Sequence, residues 1–109
     1  MKLSELLNIT KEQKQKGIWF SGTKEEGEYK KRHGEYKRWH YNGTLFVHSN
    51  WKDGKLHGEY KRWWEDGTLY EYSNWKNGKR HGEHKTWNYN GILYEHFIYK
   101  DGEVIKRII

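Results

Sequence analysis

The chain has 109 residues, with 21 Lys and Arg against 15 Asp and Glu, and therefore carries a formal net charge of +6. This length excludes a large two-domain enzyme, and the absence of cysteine excludes a disulfide framework, a thiolate metal site and a thiol nucleophile. Leu, Ile, Val and Phe account for only 19 residues, which is typical of disorder, but 16 Trp and Tyr residues can each bury a large apolar area, so the chain folds on its aromatic residues or not at all.

The apolar runs of the chain are too short for a transmembrane helix, and the first residues lack the apolar core of a signal peptide. We therefore expect a soluble, cytoplasmic protein that can still attach peripherally to a membrane. The excess of basic over acidic residues makes nucleic acid and anionic membranes candidate partners.

The first predicted element is a short N-terminal helical cap. Leu3, Leu6 and Leu7 share one helical face, and the glycine that opens residues 17–21 can end the helix. The rest of that segment predicts a strand. We assign residues 1–32 to this cap and to a degenerate first repeat, and expect the cap to cover the first edge of the fold.

Three copies of a 24-residue unit follow, at residues 33–56, 57–80 and 81–104. Identical residues recur at nine positions, and three copies are about the minimum that a repeat array needs. In the first copy these residues are His33, Gly34, Glu35, Lys37, Trp39, Gly43, Leu45, Lys52 and Gly54.

Each copy contains two predicted turns. Asn-Gly and Asp-Gly are the strongest short hairpin signals, because both central residues then take positive φ. The intervening segments are rich in Trp, Tyr and Thr, which favour strands. The sequence thus predicts an all-β fold, a single elongated antiparallel β-meander of 24-residue β-hairpin repeats. The first turns are Asn42-Gly43, Asp66-Gly67 and Asn90-Gly91, and the second are Asp53-Gly54, Asn77-Gly78 and Asp101-Gly102.

A two-residue turn sets the strand register, so opposed residues can be assigned. Around the turn of the second copy, the predicted pairs are Gly58–Trp75, Tyr60–Ser73, Arg62–Glu71 and Trp64–Leu69 on one face, and Glu59–Asn74, Lys61–Tyr72 and Trp63–Tyr70 on the other. A repeated glycine then faces an aromatic ring, which we interpret as a structural feature that shields the backbone. These structural positions are Gly34, Gly58 and Gly82, opposite Trp51, Trp75 and Tyr99.

Aromatic pairs predict a ladder along one face, formed by Trp39–Phe46, Trp63–Tyr70 and Trp87–Tyr94. Most of these rings could simply form the core. A single-layer sheet nevertheless leaves some of them exposed, and exposed Trp and Tyr are frequent interface anchors. The candidate partner-binding aromatic residues are Trp39, Tyr60, Trp63, Trp64, Tyr70, Tyr72, Trp87 and Tyr94.

Residues 105–109 predict a closing C-terminal strand. This strand either caps the array or provides an edge that pairs with a second chain, because Ile105, Ile108 and Ile109 are apolar. A homodimer through this edge is therefore possible.

The repeat unit G-E-[YH]-K-x-W-x-x-[ND]-G-x-L, followed by W-K-[DN]-G-K, resembles the MORN repeat over residues 33–104. The resemblance is closest to the bacterial and viral YwqK-like variant, some of whose members are described as antitoxins. It implies an elongated sheet of β-hairpins that acts as a scaffold or as a protein-binding or membrane-associated module. The family motif contains no catalytic residues, so it implies none here.

The charge is concentrated at the ends of the chain. Residues 1–32 carry +3, residues 33–104 only +1, and residues 105–109 +2. A nearly neutral array weakens a general nucleic-acid interpretation, which requires a continuous basic stripe. If alternate turns line opposite edges, one rim is basic, either for solubility or for an acidic partner. The candidate rim residues are Lys52, Lys55, Lys76, Lys79, Arg80 and Lys100.

Seven histidines raise the possibility of metal binding, but their spacing predicts repeated pairs instead of one cluster. Around the turn at Asp53, for example, His48 should oppose Glu59. The only serines of the array, Ser49 and Ser73, have no activating base nearby in the predicted register. We therefore predict no catalytic residues, no metal and no cofactor.

The leading functional hypothesis is a non-enzymatic protein-binding module that uses an aromatic groove and a charged rim. Its small size suggests an inhibitor or antitoxin-like factor, viral or from a mobile element, that acts by steric occlusion. The first alternative is a peripheral module that binds anionic lipid through its lysines. The second is a single-stranded nucleic-acid binder that stacks bases on Trp.

Overall fold

A computed structural model describes residues 16–20 and 32–109, which form one antiparallel sheet of nine strands in the order β1-β2-β3-β5-β6-β7-β8-β9, with β4 paired to β3. The predicted all-β meander is therefore confirmed, and the strand predicted within residues 17–21 is β1. The predicted helical cap lies outside the described residues. The strands are Ile18–Phe20 (β1), Gly34–Trp39 (β2), Leu45–Lys52 (β3), Lys55–Leu56 (β4), Gly58–Trp63 (β5), Leu69–Lys76 (β6), Lys79–Trp87 (β7), Leu93–Lys100 (β8) and Glu103–Arg107 (β9).

The second turn of each repeat is the two-residue hairpin turn that the sequence predicts. Asn77 and Gly78 have φ values of 50° and 82°, and the turns at residues 53–54 and 101–102 have the same form. Lys76 and Lys79 pair directly across this turn. Positive φ at both central residues matches the twist of the strands that the turn joins.

The first turn of each repeat differs from the prediction. At residues 66–67 only Gly67 has a positive φ, and its N–H donates to the carbonyl of Trp64 at 2.9 Å. Asp66 instead accepts a hydrogen bond from the backbone N–H of Thr68 at 2.8 Å. The acidic residue is therefore used for its side-chain oxygen, as in an Asx turn, and not for a left-handed backbone.

This longer loop changes the strand register beside it. The central pairs of β5 and β6 follow the prediction from Gly58–Trp75 to Arg62–Glu71, but a bulge then places Trp63 opposite Leu69. The equivalent bulges give Trp39–Leu45 and Trp87–Leu93. The predicted ladder of Trp39–Phe46, Trp63–Tyr70 and Trp87–Tyr94 is therefore wrong, because one extra residue enters the second strand of each hairpin.

Alternate side chains divide between two faces of the sheet. Face A carries Tyr60, Ser73 and Trp75, and face B carries Lys61 and Tyr72. With principal extents of 42 × 37 × 18 Å, the described part of the chain is a thin slab one sheet deep. Such a sheet must bury part of one face under its own side chains.

Indole rings cover that buried part of face A. Ser49 and Ser73 are only 2% and 0% exposed. The Nε1 groups of Trp51 and Trp75 each donate to the hydroxyl of the serine two residues earlier, at 2.9 Å. This part of the core is a row of small polar side chains under aromatic rings, and the buried hydrophobic residues among those described are Trp39 and Val47, at 3% and 8% exposed. Such packing explains how the chain folds with so few aliphatic residues.

The repeated glycines pair with aromatic residues as predicted, since Gly34, Gly58 and Gly82 lie opposite Trp51, Trp75 and Tyr99. The reason for glycine is conformational. Gly58 has a φ of 102°, and a Cβ atom built on it would meet only the Cβ of Asn50, at an ordinary 3.6 Å. The backbone conformation requires glycine here, whereas the ring of Trp75 does not.

Candidate partner-binding surface

The two sets of turns line opposite edges of the sheet. The second turns stack on one another, since the N–H of Gly78 donates to the carbonyl of Leu56, and that of Gly102 to the carbonyl of Arg80, both at 2.9 Å. We call this side, residues 52–55, 76–79 and 100–103, the lysine edge. Its exposed side chains include five of the six predicted rim residues: Lys52, Lys55, Lys76, Lys79 and Lys100.

Arg80, the sixth predicted rim residue, lies on face A instead. Its guanidinium carbon is 4.9 Å from the ring of Trp75 and 5.6 Å from that of Tyr99, and its Nη1 bonds Nδ1 of His84. Arg80 directly opposes Trp75 across strands β6 and β7, which turns its side chain inward from the rim. It packs aromatic surface and contributes little free charge to the edge.

The first turns form the other edge, which is aromatic and acidic. We call residues 40–44, 64–68 and 88–92 the tyrosine edge. Tyr89 is 74% exposed, and the charged residues of these loops are Glu65 and Asp66 alone. The backbone N–H of Thr68 bonds the carboxylate of Asp66 and lowers its pKa, so this side chain stays ionised well into the acid range.

Aromatic ridges cross face A beside the tyrosine edge. The ring centroids of His40 and Phe46 are 4.7 Å apart, and those of Trp64 and Tyr70 are 4.6 Å apart. The ring of Tyr89 leans on Trp64, with centroids at 5.0 Å. Each of these two ridges belongs to one repeat, and the third repeat has Asn88 at the position of His40 and Trp64, so its only equivalent ring is that of Tyr94.

Two grooves lie beside the central ridge, the ridge formed by Trp64 and Tyr70. The first groove has a volume of about 500 Å³ and runs between this ridge and the His40–Phe46 ridge. The second has a volume of about 390 Å³ and runs towards Tyr94 in the next repeat. Together they form a continuous aromatic surface of the kind that anchors protein partners.

An arginine stacks on each ridge, and the charge of one of them is neutralised. The guanidinium carbon of Arg38 lies 5.7 Å from the ring of Phe46. The guanidinium carbon of Arg62 lies 4.7 Å from the ring of Tyr70, and its Nε is 3.4 Å from Oε1 of Glu71. The predicted Arg62–Glu71 pair is thus confirmed. Glu71 is only 9% exposed, so this pair neutralises a cation that would otherwise dominate the groove.

The predicted aromatic residues do not form one surface. Tyr60, Trp64, Tyr70 and Tyr94 share face A, where the bulge brings Tyr70 to the side of Trp64. By strand alternation Trp39, Trp63, Tyr72 and Trp87 lie on face B, and Trp39 is only 3% exposed. Trp63 nevertheless borders the first groove and Trp87 the second. Leu69, predicted opposite Trp64, also lies on face B, as does the equivalent Leu93.

Sequence reasoning missed Phe46, His40 and Tyr89 as members of this surface. Phe46 occupies the repeat position of Tyr70 and was assigned to the ladder face by the unbroken register. Tyr89 lies in a turn, where an aromatic residue has no core role, and this was a usable signal.

The histidines lie apart from one another in the described sheet. His48 opposes Lys61 and not Glu59, because the register shifts between β3 and β5, and its Nε2 lies 3.7 Å from Oε1 of Glu35 on β2. Burial, reinforced by Lys37, lowers the pKa of His48. Within residues 16–20 and 32–109, no group of three or more His, Asp or Glu side chains is placed to hold a metal ion.

The part of the chain that the structure describes contains no helix long and apolar enough to cross a membrane.

Comparison with known proteins gives one match. The sequence model of a family described as the MORN repeat variant matches residues 32–53, 56–77 and 80–101. These three segments cover more than half of the chain and coincide with its hairpins. No curated protein and no solved structure matches.

Proposed function

Because the chain belongs to the MORN repeat variant family, we propose that it is a non-enzymatic module that binds a partner protein through face A beside the tyrosine edge. MORN repeats are in general associated with protein or membrane binding. Protein binding is the form of this function that the aromatic grooves favour.

The exposed aromatic surface carries this proposal. Tyr89 and Tyr94 are 74% and 47% exposed, and they adjoin the half-buried Trp64 and Tyr70 in the two grooves. Exposed aromatic side chains cost solvation free energy in an isolated domain, and they are enriched at interface hot spots. The acidic and lysine edges on either side would orient a partner electrostatically.

The mode of action we propose is steric occlusion, as for an inhibitor or antitoxin-like factor. A slab of these dimensions can cover a substrate-binding or assembly surface of a second protein without chemistry of its own. The resemblance to bacterial and viral repeats supports this mode.

Affinity capture with matched variants tests the proposal. The wild-type chain should recover one protein in stoichiometric amount from a plausible host lysate. Tyr89→Ala and Tyr70→Ala should lose it, whereas Tyr72→Ala on face B should retain it. Recovery of no protein at several salt concentrations, or loss with the face B variant only, contradicts the proposal.

The lysine edge supports a second candidate function, binding to anionic lipid. Lys52, Lys55, Lys76 and Lys79 are all exposed side by side, and each lysine near an anionic surface contributes roughly 1 kcal/mol. Flotation with vesicles containing phosphatidylserine at low salt tests this candidate. Binding that Lys76→Glu with Lys79→Glu abolishes supports it, and absence of binding excludes it.

A further inference from the structure

We propose that the two grooves seat a proline-rich peptide in the polyproline II conformation, which runs from one repeat to the next with a basic residue beside Glu65 and Asp66. This inference rests on the proposed function, since it names the class of partner for the same surface.

The spacing of the ridges supports this conformation. Successive repeats are two strands apart, so the equivalent rings of Phe46, Tyr70 and Tyr94 recur about every 9.5 Å across the sheet. A polyproline II helix has three residues per turn and rises about 9.3 Å per turn. Side chains at positions i and i+3 of such a peptide would therefore enter the first and second grooves in the same orientation.

Other peptide conformations fit this spacing less well. In an extended strand, the side chains at i and i+3 point to opposite sides, so only one of them could reach a groove. An α-helix presents the same face again after seven residues, which is about 10.5 Å. This length exceeds the spacing of the repeats, and the difference adds up from one repeat to the next.

The chemistry of the grooves matches proline. Each groove is walled by aromatic rings, such as Phe46, Tyr70 and Tyr94, against which a flat apolar ring can pack. The polyproline II helix is preformed, so binding costs little conformational entropy.

The charge beside the grooves favours a basic residue in the part of the peptide that lies next to them. Glu65 lines the first groove and Asp66 adjoins it in the same turn, while residues 40–44, 64–68 and 88–92 contain no Lys or Arg. Arg62, which lines this groove, is paired with the carboxylate of Glu71, whereas the exposed Arg38 stacks on Phe46 at 5.7 Å and adds positive charge at that wall. Next to Glu65 and Asp66, the local field therefore favours arginine or lysine in the peptide over an acidic residue.

Titration of the full chain with synthetic peptides tests the inference, with tryptophan fluorescence and calorimetry as readouts. The probe is an acetylated, amidated peptide of sequence Arg-Pro-Leu-Pro-Pro-Leu-Pro-Pro. Two control peptides replace all prolines by alanine, or the arginine by alanine. The proline probe should bind saturably, and the alanine-for-proline control should bind at least about tenfold more weakly.

Variants locate the binding. Tyr89→Ala removes an exposed ring without touching the core and should weaken the probe about tenfold, whereas Tyr72→Ala on face B should not change the affinity. Glu65→Lys should weaken the arginine probe and leave the alanine-for-arginine peptide unchanged.

Several outcomes overturn the inference: no saturation by the proline probe, equal affinity for the alanine-for-proline control, or no effect of Tyr89→Ala. If a captured protein still depends on Tyr89 while the proline probe does not bind, the peptide inference fails and the proposed function stands. If the captured protein depends only on face B, both fail.

Discussion

Each buried serine of face A accepts a hydrogen bond from a tryptophan two residues later. Ser73 is fully buried, and its hydroxyl accepts a 2.9 Å hydrogen bond from Nε1 of Trp75. Without this bond, the indole N–H and the buried hydroxyl would lose a hydrogen-bond partner at a cost in stability. Ser49 and Trp51 repeat the arrangement one unit earlier. Small polar residues are therefore as necessary to this core as the rings that cover them.

Substitution of Gly58 tests why glycine recurs opposite the aromatic residues. At a φ of 102°, any residue with a Cβ atom is strained, so Gly58→Ala should lower the free energy of unfolding by about 2 kcal/mol. Urea denaturation measures this, and Trp75→Ala should not rescue the variant. Rescue by Trp75→Ala would show that ring contact, and not backbone strain, is the cause.

His84 should make stability depend on pH. Burial and the neighbouring Arg80 guanidinium lower the pKa of His84, although Glu71 and Glu95 oppose the shift. The unfolded chain therefore binds the proton first, and the contribution of neutral His84 to stability is complete above about pH 6.5 and is lost as the pH falls through the lowered pKa.

Thermal melts between pH 7.5 and 5.5 check this expectation. The melting temperature should fall as the pH falls, and His84→Gln should reduce the slope of melting temperature against pH. The remaining slope is then due to His48, whose pKa is also lowered. An unchanged slope in His84→Gln would contradict the assignment.

At the scale of the hairpin, one dipeptide serves two different turns. Asn77-Gly78 forms a two-residue turn with two left-handed residues, while Asn90-Gly91 ends a longer loop in which only the glycine is left-handed. In that loop Oδ1 of Asn88 accepts bonds from the backbone N–H groups of Asn90 and Ile92, at 3.2 and 3.1 Å.

A pair of matched substitutions distinguishes the two turns. Asn77→Ala should lower the free energy of unfolding by about 1 kcal/mol, because alanine tolerates the left-handed φ of 50° poorly. Asn90→Ala should cost clearly less, since its backbone is not left-handed. Chemical denaturation of both variants measures the difference, and equal losses would refute this account of the turns.

The bulge beside the longer loop decides which aromatic residues meet. By moving Trp63 opposite Leu69, it releases Tyr70 to pack on Trp64 and on Arg62. The ridges of the candidate surface exist because of this single extra residue in each hairpin.

At the scale of the whole molecule, folding separates charges that are mixed along the chain. Each repeat alternates a lysine-bearing turn with an aromatic or acidic one, and the stacking of equivalent turns collects them on opposite edges. A nearly neutral array thereby presents one basic and one acidic edge, which is a property of the assembly and not of any segment.

The last strand of the described sheet should promote self-association. All five residues of β9 are exposed, and Val104 and Ile105 are 50% and 61% exposed on a strand with no neighbour on its outer side within the described sheet. The mean mass from light scattering should rise with concentration, and Ile105→Lys or truncation after residue 103 should suppress this rise. A concentration-independent monomer would contradict the expectation.

Local chemistry determined the repeat, the meander and most of the register. The 24-residue period is visible as identical residues at equivalent positions. The dipeptides of Asn or Asp with glycine leave the chain few alternatives to a turn. The pairs from Gly58–Trp75 to Arg62–Glu71 followed because strand pairing has a strict two-residue period away from the loops.

Only the tertiary structure decided what the surface looks like. The place of the bulge depends on hydrogen bonds of the folded turn, such as that from Thr68 to Asp66, and it reverses the face of Tyr70. Arg80 is a basic residue next to a second turn, as expected of a rim residue. Its side chain nevertheless stacks on Trp75 of the neighbouring strand. Contacts between strands and between repeats are not encoded in any one segment, so the candidate site emerges only when the hairpins stack.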